Sequence, residues 1–440
     1  MGKTSLAIAL TALFFAVWLP PAAQAERPPS QPGVDAPALA ALGPFPVGVE
    51  SPTWTQAAQA DPLAYDAKTG VVPKHDRILP MEIWYPATPK LGARPVTYEG
   101  SLPGEDGKDV AFTIPGVAVR GAPPRAGAFP LVILAHGYSG TPVAMSWLAE
   151  NLASKGYVVA APHFRDPLLS DTSKVAGPLA RRPLDIAFVA AEAARLARAR
   201  LGVFASVDAS RVALIGYSMG GYGVVTDAGA PLNPVLGGFT HGVLSPYVAG
   251  GADAAALKIA GLKAVVAISP AGRFGPLAAW GSEGLAAITA PTLFIVGDHD
   301  HIVGFDPGVK TLFKAEIHAP RYLLSFENAD HDIGMGGEPG ALMAQLWDQD
   351  WFEDPVWRKD RLMAIQQHFI TAFLDLYVKG DASRASYIDG LTQHANDGAW
   401  PAAPGGRYDA ISPGPPVTLW KGFPRNHATG LDLVFLPAAQ

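Results

Sequence analysis

A serine between two glycines is the first feature of this sequence that points to chemistry. Residues 216–220 read Gly-Tyr-Ser-Met-Gly and follow the apolar run Val212–Ile215. This G-x-S-x-G pattern is typical of a tight turn between a strand and a helix that exposes a nucleophilic serine. Glycines are expected at both flanks because a side chain there would crowd the turn. The pattern predicts Ser218 as a nucleophile, although a glycine-rich turn with a structural serine has the same five residues.

A serine nucleophile needs an acid that orients its base, and one loop offers candidates. The strand-like run Thr292–Val296 leads into Asp298-His299-Asp300-His301. Asp300 is the first choice for the acid and Asp298 the second, and the one that is not used is expected to stabilise a turn. The alternating Asp and His residues also resemble metal ligands. A metal site is disfavoured because such closely spaced side chains do not easily converge on one ion, and no cofactor is expected.

The general base must be chosen from eleven histidines. His331 follows the strand-like run Tyr322–Phe326 in a polar loop, after the acid in chain order, and is therefore the predicted base. His299 and His301 lie beside the acid rather than on a separate loop. His318 precedes the last of these strands. These three histidines are weaker candidates.

Two backbone amides must stabilise the oxyanion that forms when a serine attacks a carbonyl. The first is expected from Met219, which directly follows the nucleophile. The second is expected from the loop after the apolar strand Leu131–Ala135, where the sequence is His136-Gly137-Tyr138-Ser139-Gly140. Tyr138 is the predicted donor, and its ring could also line an acyl pocket. His136 is expected to be structural.

Several separate stretches resemble one enzyme group. The chain is similar to α/β-hydrolases of the group that joins platelet-activating-factor acetylhydrolases, bacterial polyester hydrolases and dienelactone hydrolase-like proteins. The resemblance implies a triad of Ser218, Asp300 and His331, with Tyr138 and Met219 as oxyanion donors. True dienelactone hydrolases use a cysteine nucleophile and this chain has no cysteine, so that lactone activity is not expected. The stretches are Gly43–Val49, Met81–Pro86, 136–140, 216–221, 291–300 and the loop that holds His331.

The order of apolar runs predicts an α/β fold with a mostly parallel central sheet and helices on both faces. Helical patterns alternate with the strands, and the clearest late helix spans 358–378, where apolar residues recur at core-facing spacing. The predicted strands are Met81–Tyr85, Leu131–Ala135, Tyr157–Ala161, Val212–Ile215, Ala264–Ile268, Thr292–Val296 and Tyr322–Phe326, and the other predicted helices are Pro142–Ser154 and Leu184–Arg200.

The chain divides into four expected parts. Residues 1–25 have a short charged start, an apolar stretch and Ala23-Gln24-Ala25, which predict a signal peptide cleaved near Ala25 and a secreted or periplasmic protein without a membrane span in its mature form. Residues 26–42 read as a flexible lead. The hydrolase domain is expected over 43–380, with 225–262 as either a cap over the pocket or a surface excursion. Residues 381–440 should pack on the domain as an edge strand or a covering flap.

The composition limits the function classes. A net charge of −6 and the lack of a glycine-rich phosphate loop argue against nucleic-acid partners. The sequence therefore predicts a serine esterase that cleaves carboxylic esters, with short acyl chains favoured, through an acyl-enzyme. A serine peptidase or amidase would use the same triad. A non-catalytic binding protein could have the same hydrolase fold. The expected substrate is a small-molecule ester or a lipid or polymer ester, and the sequence indicates neither which of these it is nor the oligomeric state.

Overall fold

The central feature of the computed structural model is one eleven-stranded sheet. The structure describes residues 27–104, 106–168, 171–343, 350–397, 420–424 and 426–439. In spatial order the strands are β15 (Leu431–Leu436), β14 (Arg321–Phe326), β13 (Thr292–Gly297), β10 (Leu262–Ile268), β9 (Val207–Tyr217), β7 (Phe129–Ala135), β8 (Val158–Pro162), β3 (Lys74–Pro86), β1 (Val47–Glu50) and β6 (Val119–Arg120), with β2 (Thr53–Ala60) paired to β3.

The middle of this sheet is parallel. Strands β14, β13, β10, β9, β7 and β8 pair in parallel, whereas β15 and β3 flank them in antiparallel register. The parallel strands read as nearly continuous apolar runs because both of their faces are buried. Their carboxyl ends lie along one edge of the sheet, which is where ligands bind in open α/β sheets.

Helices cover both faces of the sheet, and each face has its own apolar core. Helices α1 and α7 pack on one face, and α2, α3 and α6 pack on the other. The predicted α/β fold, with its mostly parallel sheet covered on both faces, is confirmed. The helices are α1 (Ser146–Ser154), α2 (Ala176–Arg198), α3 (Met219–Asp227), α4 (Val235–Phe239), α5 (Ser282–Ala286), α6 (Lys310–Ala315) and α7 (Lys359–Tyr377).

The seven predicted strands all lie at the expected places. The predicted helix Leu184–Arg200 begins eight residues too late, because α2 starts at Ala176 and continues through Pro183. Sequence reasoning also missed the amino-terminal strands β1 and β2 and a separate hairpin formed by β4 (Thr97–Pro103) and β5 (Asp109–Pro115).

The segment before the first strand is held against the helices. The Ser30 hydroxyl donates a hydrogen bond to Glu150 on α1 at 2.6 Å, and the Lys155 ammonium donates one to the carbonyl of Leu39 at 2.6 Å. The sequence predicted a flexible lead over 26–42. In the described part of this segment, side-chain and backbone groups form hydrogen bonds with the domain. The predicted signal peptide, 1–25, lies outside the described residues.

The chain's last described strand is at the edge of the sheet. Leu431–Leu436 forms β15 against β14, which is one of the two roles expected for the carboxyl-terminal extension. Residues 398–419 of that extension lie outside the described residues. No helix in the described part of the chain is long and apolar enough to cross a membrane.

Candidate active site

Ser218 occupies a strained turn between β9 and α3. Its φ and ψ angles are 53° and −115°, a backbone conformation that a residue with a side chain rarely adopts. A Cβ atom on Gly216 would lie 2.3 Å from the carbonyl oxygen of Gly220, and one on Gly220 would lie 2.0 Å from that of Ala135. Both glycines are therefore sterically required, and strain of this kind is typical of functional sites.

Three residues far apart in the chain form one line of hydrogen-bond contacts. The Nε2 atom of His331 lies 3.0 Å from Oγ of Ser218, and its Nδ1 atom lies 2.8 Å from Oδ2 of Asp300. The second oxygen of Asp300 accepts hydrogen bonds from the amides of Ile302 and Val303, at 3.0 and 2.9 Å. Asp300 and His331 are both buried. The carboxylate is thus fixed behind the imidazole, which in turn faces the serine.

The environment of Asp300 keeps this carboxylate ionised. Burial raises the pKa of the carboxyl group, but the hydrogen bond and charge of His331 and the amide of Val303 act in the opposite direction, and the net pKa lies below its usual value. An ionised carboxylate accepts the Nδ1 proton of His331 and leaves Nε2 free to accept a proton from the serine.

The other candidates for acid and base form no hydrogen bond with Ser218 or with the His331 ring in the described part of the chain. Asp298 accepts a hydrogen bond from the amide of Asn328 at 2.6 Å, which is a turn contact. His301 contacts Asp330 at 2.5 Å, and His318 contacts the carbonyl of Ala286 at 2.8 Å. His299 is exposed. Within the described residues no group of three His, Asp or Glu side chains is arranged to hold a metal ion.

Two backbone amides beside Ser218 have no acceptor among the described residues. Met219 is the first residue of α3, so its amide has no partner within the helix. Tyr138 follows β7, and it lines the same cavity as Ser218 and Gly137. The amide of neither Met219 nor Tyr138 hydrogen-bonds to another described group. They lie at the two positions from which the sequence predicted oxyanion donors.

The nucleophile turn opens into a cavity of about 540 Å³. Its apolar lining residues are Tyr138, Tyr217, Trp351, Ile302, Met335 and Pro355. Its acidic lining residues are Asp330, Asp332, Asp350, Glu353 and Asp354. Burial raises the pKa of Asp332 to about 6. Sequence reasoning missed residues 332–335 and 350–355 as part of the cavity lining, because no motif marks them.

None of the described residues that line this cavity belongs to the segment 225–262. Leu236, Leu244 and Val248 pack into the apolar core on the α2 and α3 face of the sheet. The ring of His241 stacks on Tyr65 with centroids 3.9 Å apart. These contacts place apolar side chains of the segment in the core, and both the cap and the surface excursion stay predictions for it.

Comparisons with known proteins agree with the fold and with the position of the turn. The solved structure of a ferulic acid esterase from Streptomyces cinnamoneus is similar to this chain with a TM-score of 0.51 and 21% identity, over 76% of this chain and 91% of the esterase. A family model described as PETase, PET hydrolase-like, matches residues 122–236, which include Tyr138, Ser218 and Met219. The chain has an α/β-hydrolase fold. No curated protein matches it in a sequence search.

These findings confirm the resemblance inferred from the sequence. The stretch matched by the family model contains the Gly216–Gly220 turn and the loop of Tyr138, and both similar groups are named for ester hydrolysis. The comparisons therefore support an ester hydrolase. They do not address which residues carry out the reaction.

Proposed function

We propose that the protein is a secreted serine esterase that cleaves carboxylic esters through an acyl-enzyme on Ser218. The observation that carries this proposal is the contact line from Ser218 through His331 to Asp300, with distances of 3.0 and 2.8 Å. Such an arrangement activates a hydroxyl group because the imidazole takes its proton and the carboxylate stabilises the resulting imidazolium.

The reaction follows from these positions in two steps. His331 takes the proton of Ser218 while Oγ attacks the ester carbonyl, and the amides of Tyr138 and Met219 stabilise the oxyanion. His331 then gives the proton to the leaving alcohol as the ester bond breaks. A water molecule attacks the acyl-enzyme in the second step, with His331 again as the base, and releases the carboxylic acid and Ser218.

The cavity favours uncharged esters of modest size. Its aromatic and aliphatic wall suits an apolar acyl or aryl group, and its acidic wall repels a substrate that carries a carboxylate. The names of the similar proteins, PET hydrolase-like and ferulic acid esterase, support an ester as the substrate. Short-chain and aromatic carboxylic esters are therefore the proposed substrates.

The proposed site of action is outside the cytoplasm. The support is the sequence of residues 1–25, in which an apolar stretch after Lys3 precedes the small-residue pattern Ala23-Gln24-Ala25. Amino-terminal sequencing of the protein recovered from the medium or periplasm tests this point, and a protein that keeps residues 1–25 contradicts it.

The function is tested by initial rates on p-nitrophenyl acetate, butyrate, octanoate and palmitate. The protein from residue 26 is compared with Ser218→Ala, His331→Ala and a matched control, His299→Ala, which removes an exposed histidine from the neighbouring loop. We expect both site variants to lose at least about three orders of magnitude in kcat, the control to keep its rate, and the short esters to react fastest. Equal rates for Ser218→Ala and the wild type would refute the proposal.

A p-nitroanilide of the preferred acyl group, measured in parallel, separates an esterase from an amidase. We expect ester cleavage to exceed anilide cleavage by a wide margin. Comparable rates would favour an amidase with the same triad.

A further inference from the structure

The peptide group between Gly137 and Tyr138 is held from one side by three donors. The carbonyl oxygen of Gly137 lies 2.7 Å from Nδ1 of His136 and accepts hydrogen bonds from Nη2 of Arg182 at 3.2 Å and from the amide of Gly140 at 3.3 Å. In a trans peptide the C=O and N–H bonds point in opposite directions. Donors that fix the Gly137 carbonyl therefore also fix the direction of the Tyr138 amide.

Arg182 is anchored so that it can hold this peptide. Its Nη2 atom lies 2.7 Å from Oδ2 of Asp166, and the same oxygen accepts a hydrogen bond from the amide of Ser139 at 3.0 Å. The guanidinium group lies over the ring of Phe164, 3.7 Å from its centroid. Arg182 is fully buried. Arg182 thus bonds to the peptide group between Gly137 and Tyr138, and Asp166 bonds to the next peptide group, between Tyr138 and Ser139.

His136 completes this support in its neutral form. Its Nε2 atom accepts a hydrogen bond from the amide of Phe164 at 3.2 Å, so the ring proton is on Nδ1 and points to the Gly137 carbonyl. Complete burial lowers the pKa of His136 well below its usual value, with the nearby charge of Arg182 acting in the same direction. Its hydrogen-bond directions are therefore constant through the neutral pH range.

We propose that Arg182, paired with Asp166, is a positioning residue that aims and polarises the Tyr138 amide toward the oxyanion formed at Ser218. A cation bonded to the carbonyl end of a peptide draws electron density from its nitrogen, which makes the N–H a stronger donor in a buried site. A buried ion pair often adds little net stability compared with apolar residues of the same size, so stability alone does not account for this pair. This inference rests on the proposed esterase function.

A second, partly buried ion pair between Arg77 and Asp185 supplies the control. Arg77 donates to Asp185 on α2 at 2.7 Å and to the carbonyl of Phe164 at 2.5 Å. Its described hydrogen bonds do not reach residues 136–140. Loss of Arg77 therefore removes contacts to α2 and to Phe164 but none of the three hydrogen bonds that the Gly137 carbonyl accepts.

The test compares Arg182→Met and Arg182→Lys with Arg77→Met in the protein from residue 26. For p-nitrophenyl butyrate we expect Arg182→Met to lower kcat by about tenfold to a hundredfold, since removal of a whole oxyanion donor costs about a hundredfold or more. KM should stay within about twofold, and Arg182→Lys should recover part of the rate. The inhibition constant of a trifluoromethyl ketone, which forms an oxyanion with the serine, should rise by the same factor as the fall in kcat/KM.

The pH dependence of kcat/KM and the melting temperature distinguish positioning from damage to the fold. Arg182→Met should keep the apparent pKa of the wild-type profile, because the base is His331. If kcat falls no more than in Arg77→Met, or if KM alone changes, the proposal is wrong. If Arg182→Met does not fold, Asp166→Asn takes its place. We again expect kcat to fall while KM stays nearly constant, and a loss of kcat no larger than in Arg77→Met, or a change in KM alone, would again overturn the proposal. An inactive wild-type protein would instead contradict the proposed function.

Discussion

The hydroxyl group of Tyr217 donates a hydrogen bond to the backbone carbonyl of His331 at 3.2 Å, and the two rings lie 5.3 Å apart. The residue next to the proposed nucleophile is thus tied directly to the loop that carries the proposed base. A Cβ atom on Gly334 would lie 2.3 Å from the Tyr217 ring, which shows how closely that loop packs. Tyr217 therefore fixes the distance between the serine turn and the imidazole.

We expect Tyr217→Phe to lower kcat by about fivefold, because one neutral hydrogen bond contributes about 1 kcal/mol, while KM changes little. The matched control is Tyr222→Phe, which removes a buried hydroxyl bonded to the carbonyl of Leu179 at 3.0 Å, away from the cavity. Steady-state kinetics on p-nitrophenyl butyrate measure both variants. An equal loss of kcat in the two variants would argue against a link through His331.

Asp300 and Asp298 are expected to differ sharply when each is changed to Asn. Asp300→Asn removes the acceptor that sets the His331 tautomer, and we expect kcat to fall by about three to four orders of magnitude. Asp298→Asn should keep nearly full activity, since its described side-chain contact is the turn amide of Asn328. Steady-state kinetics on p-nitrophenyl butyrate measure kcat for both variants. A larger fall in kcat for Asp298→Asn than for Asp300→Asn would mean that Asp298 is the acid of the triad.

The charge of the cavity wall predicts selectivity against anionic esters. The p-nitrophenyl monoester of succinic acid should have a kcat/KM at least about tenfold below that of p-nitrophenyl butyrate, because acidic side chains in a cavity repel a carboxylate. Asp332→Asn and Asp350→Asn, which line the cavity, should narrow this ratio. Asp253→Asn, at an exposed position in the segment 225–262, is the control. If the ratio of the two kcat/KM values is the same in the wild type and in both cavity variants, the acidic lining does not cause the selectivity.

The buried carboxyl group of Asp227 should make the folded protein less stable as the pH rises. Asp227 ends α3, and neither of its side-chain oxygens has a hydrogen-bond partner among the described residues. Burial raises its pKa well above the usual value. The folded state therefore keeps a proton that the unfolded chain releases above the usual carboxyl pKa of 3.8. The contribution of Asp227 to stability is thus complete below that pH and is lost as the pH rises toward the pKa of the folded state.

We therefore expect Asp227→Asn to raise the melting temperature more at pH 8 than at pH 5. Asp253→Asn serves again as the exposed control and should shift the melting temperature little at either pH. Thermal unfolding followed by circular dichroism at the two pH values provides the measurement. A gain that is equal at both values, or larger at pH 5, would mean that Asp227 is not protonated in the folded protein.

The sequence was sufficient for the parts of the site that depend on local patterns. Ser218 is marked by its flanking glycines, and the loops of Asp300 and His331 follow apolar runs that become β13 and β14. The structure places all three side chains within hydrogen-bond distance in one line. Their roles in catalysis stay predictions until the variants are measured.

The contacts that support these loops could not be predicted, because they join residues far apart in the chain without a local signal. Arg182 reaches Gly137 across 45 positions and Tyr217 reaches His331 across 114. Pro183 hid the start of α2, since proline usually ends a helical pattern, and so Arg182 fell outside the predicted helix. The lining residues at 332–335 and 350–355 have neither apolar periodicity nor a motif.

The central claim is that Ser218 forms the covalent intermediate, and labelling with a fluorophosphonate followed by mass spectrometry of the peptides tests it most directly. We predict one label per protein molecule, on Ser218, at a rate that falls strongly in His331→Ala, and no label in Ser218→Ala. A label on another residue, or an unlabelled Ser218 in protein that still hydrolyses esters, would contradict the account.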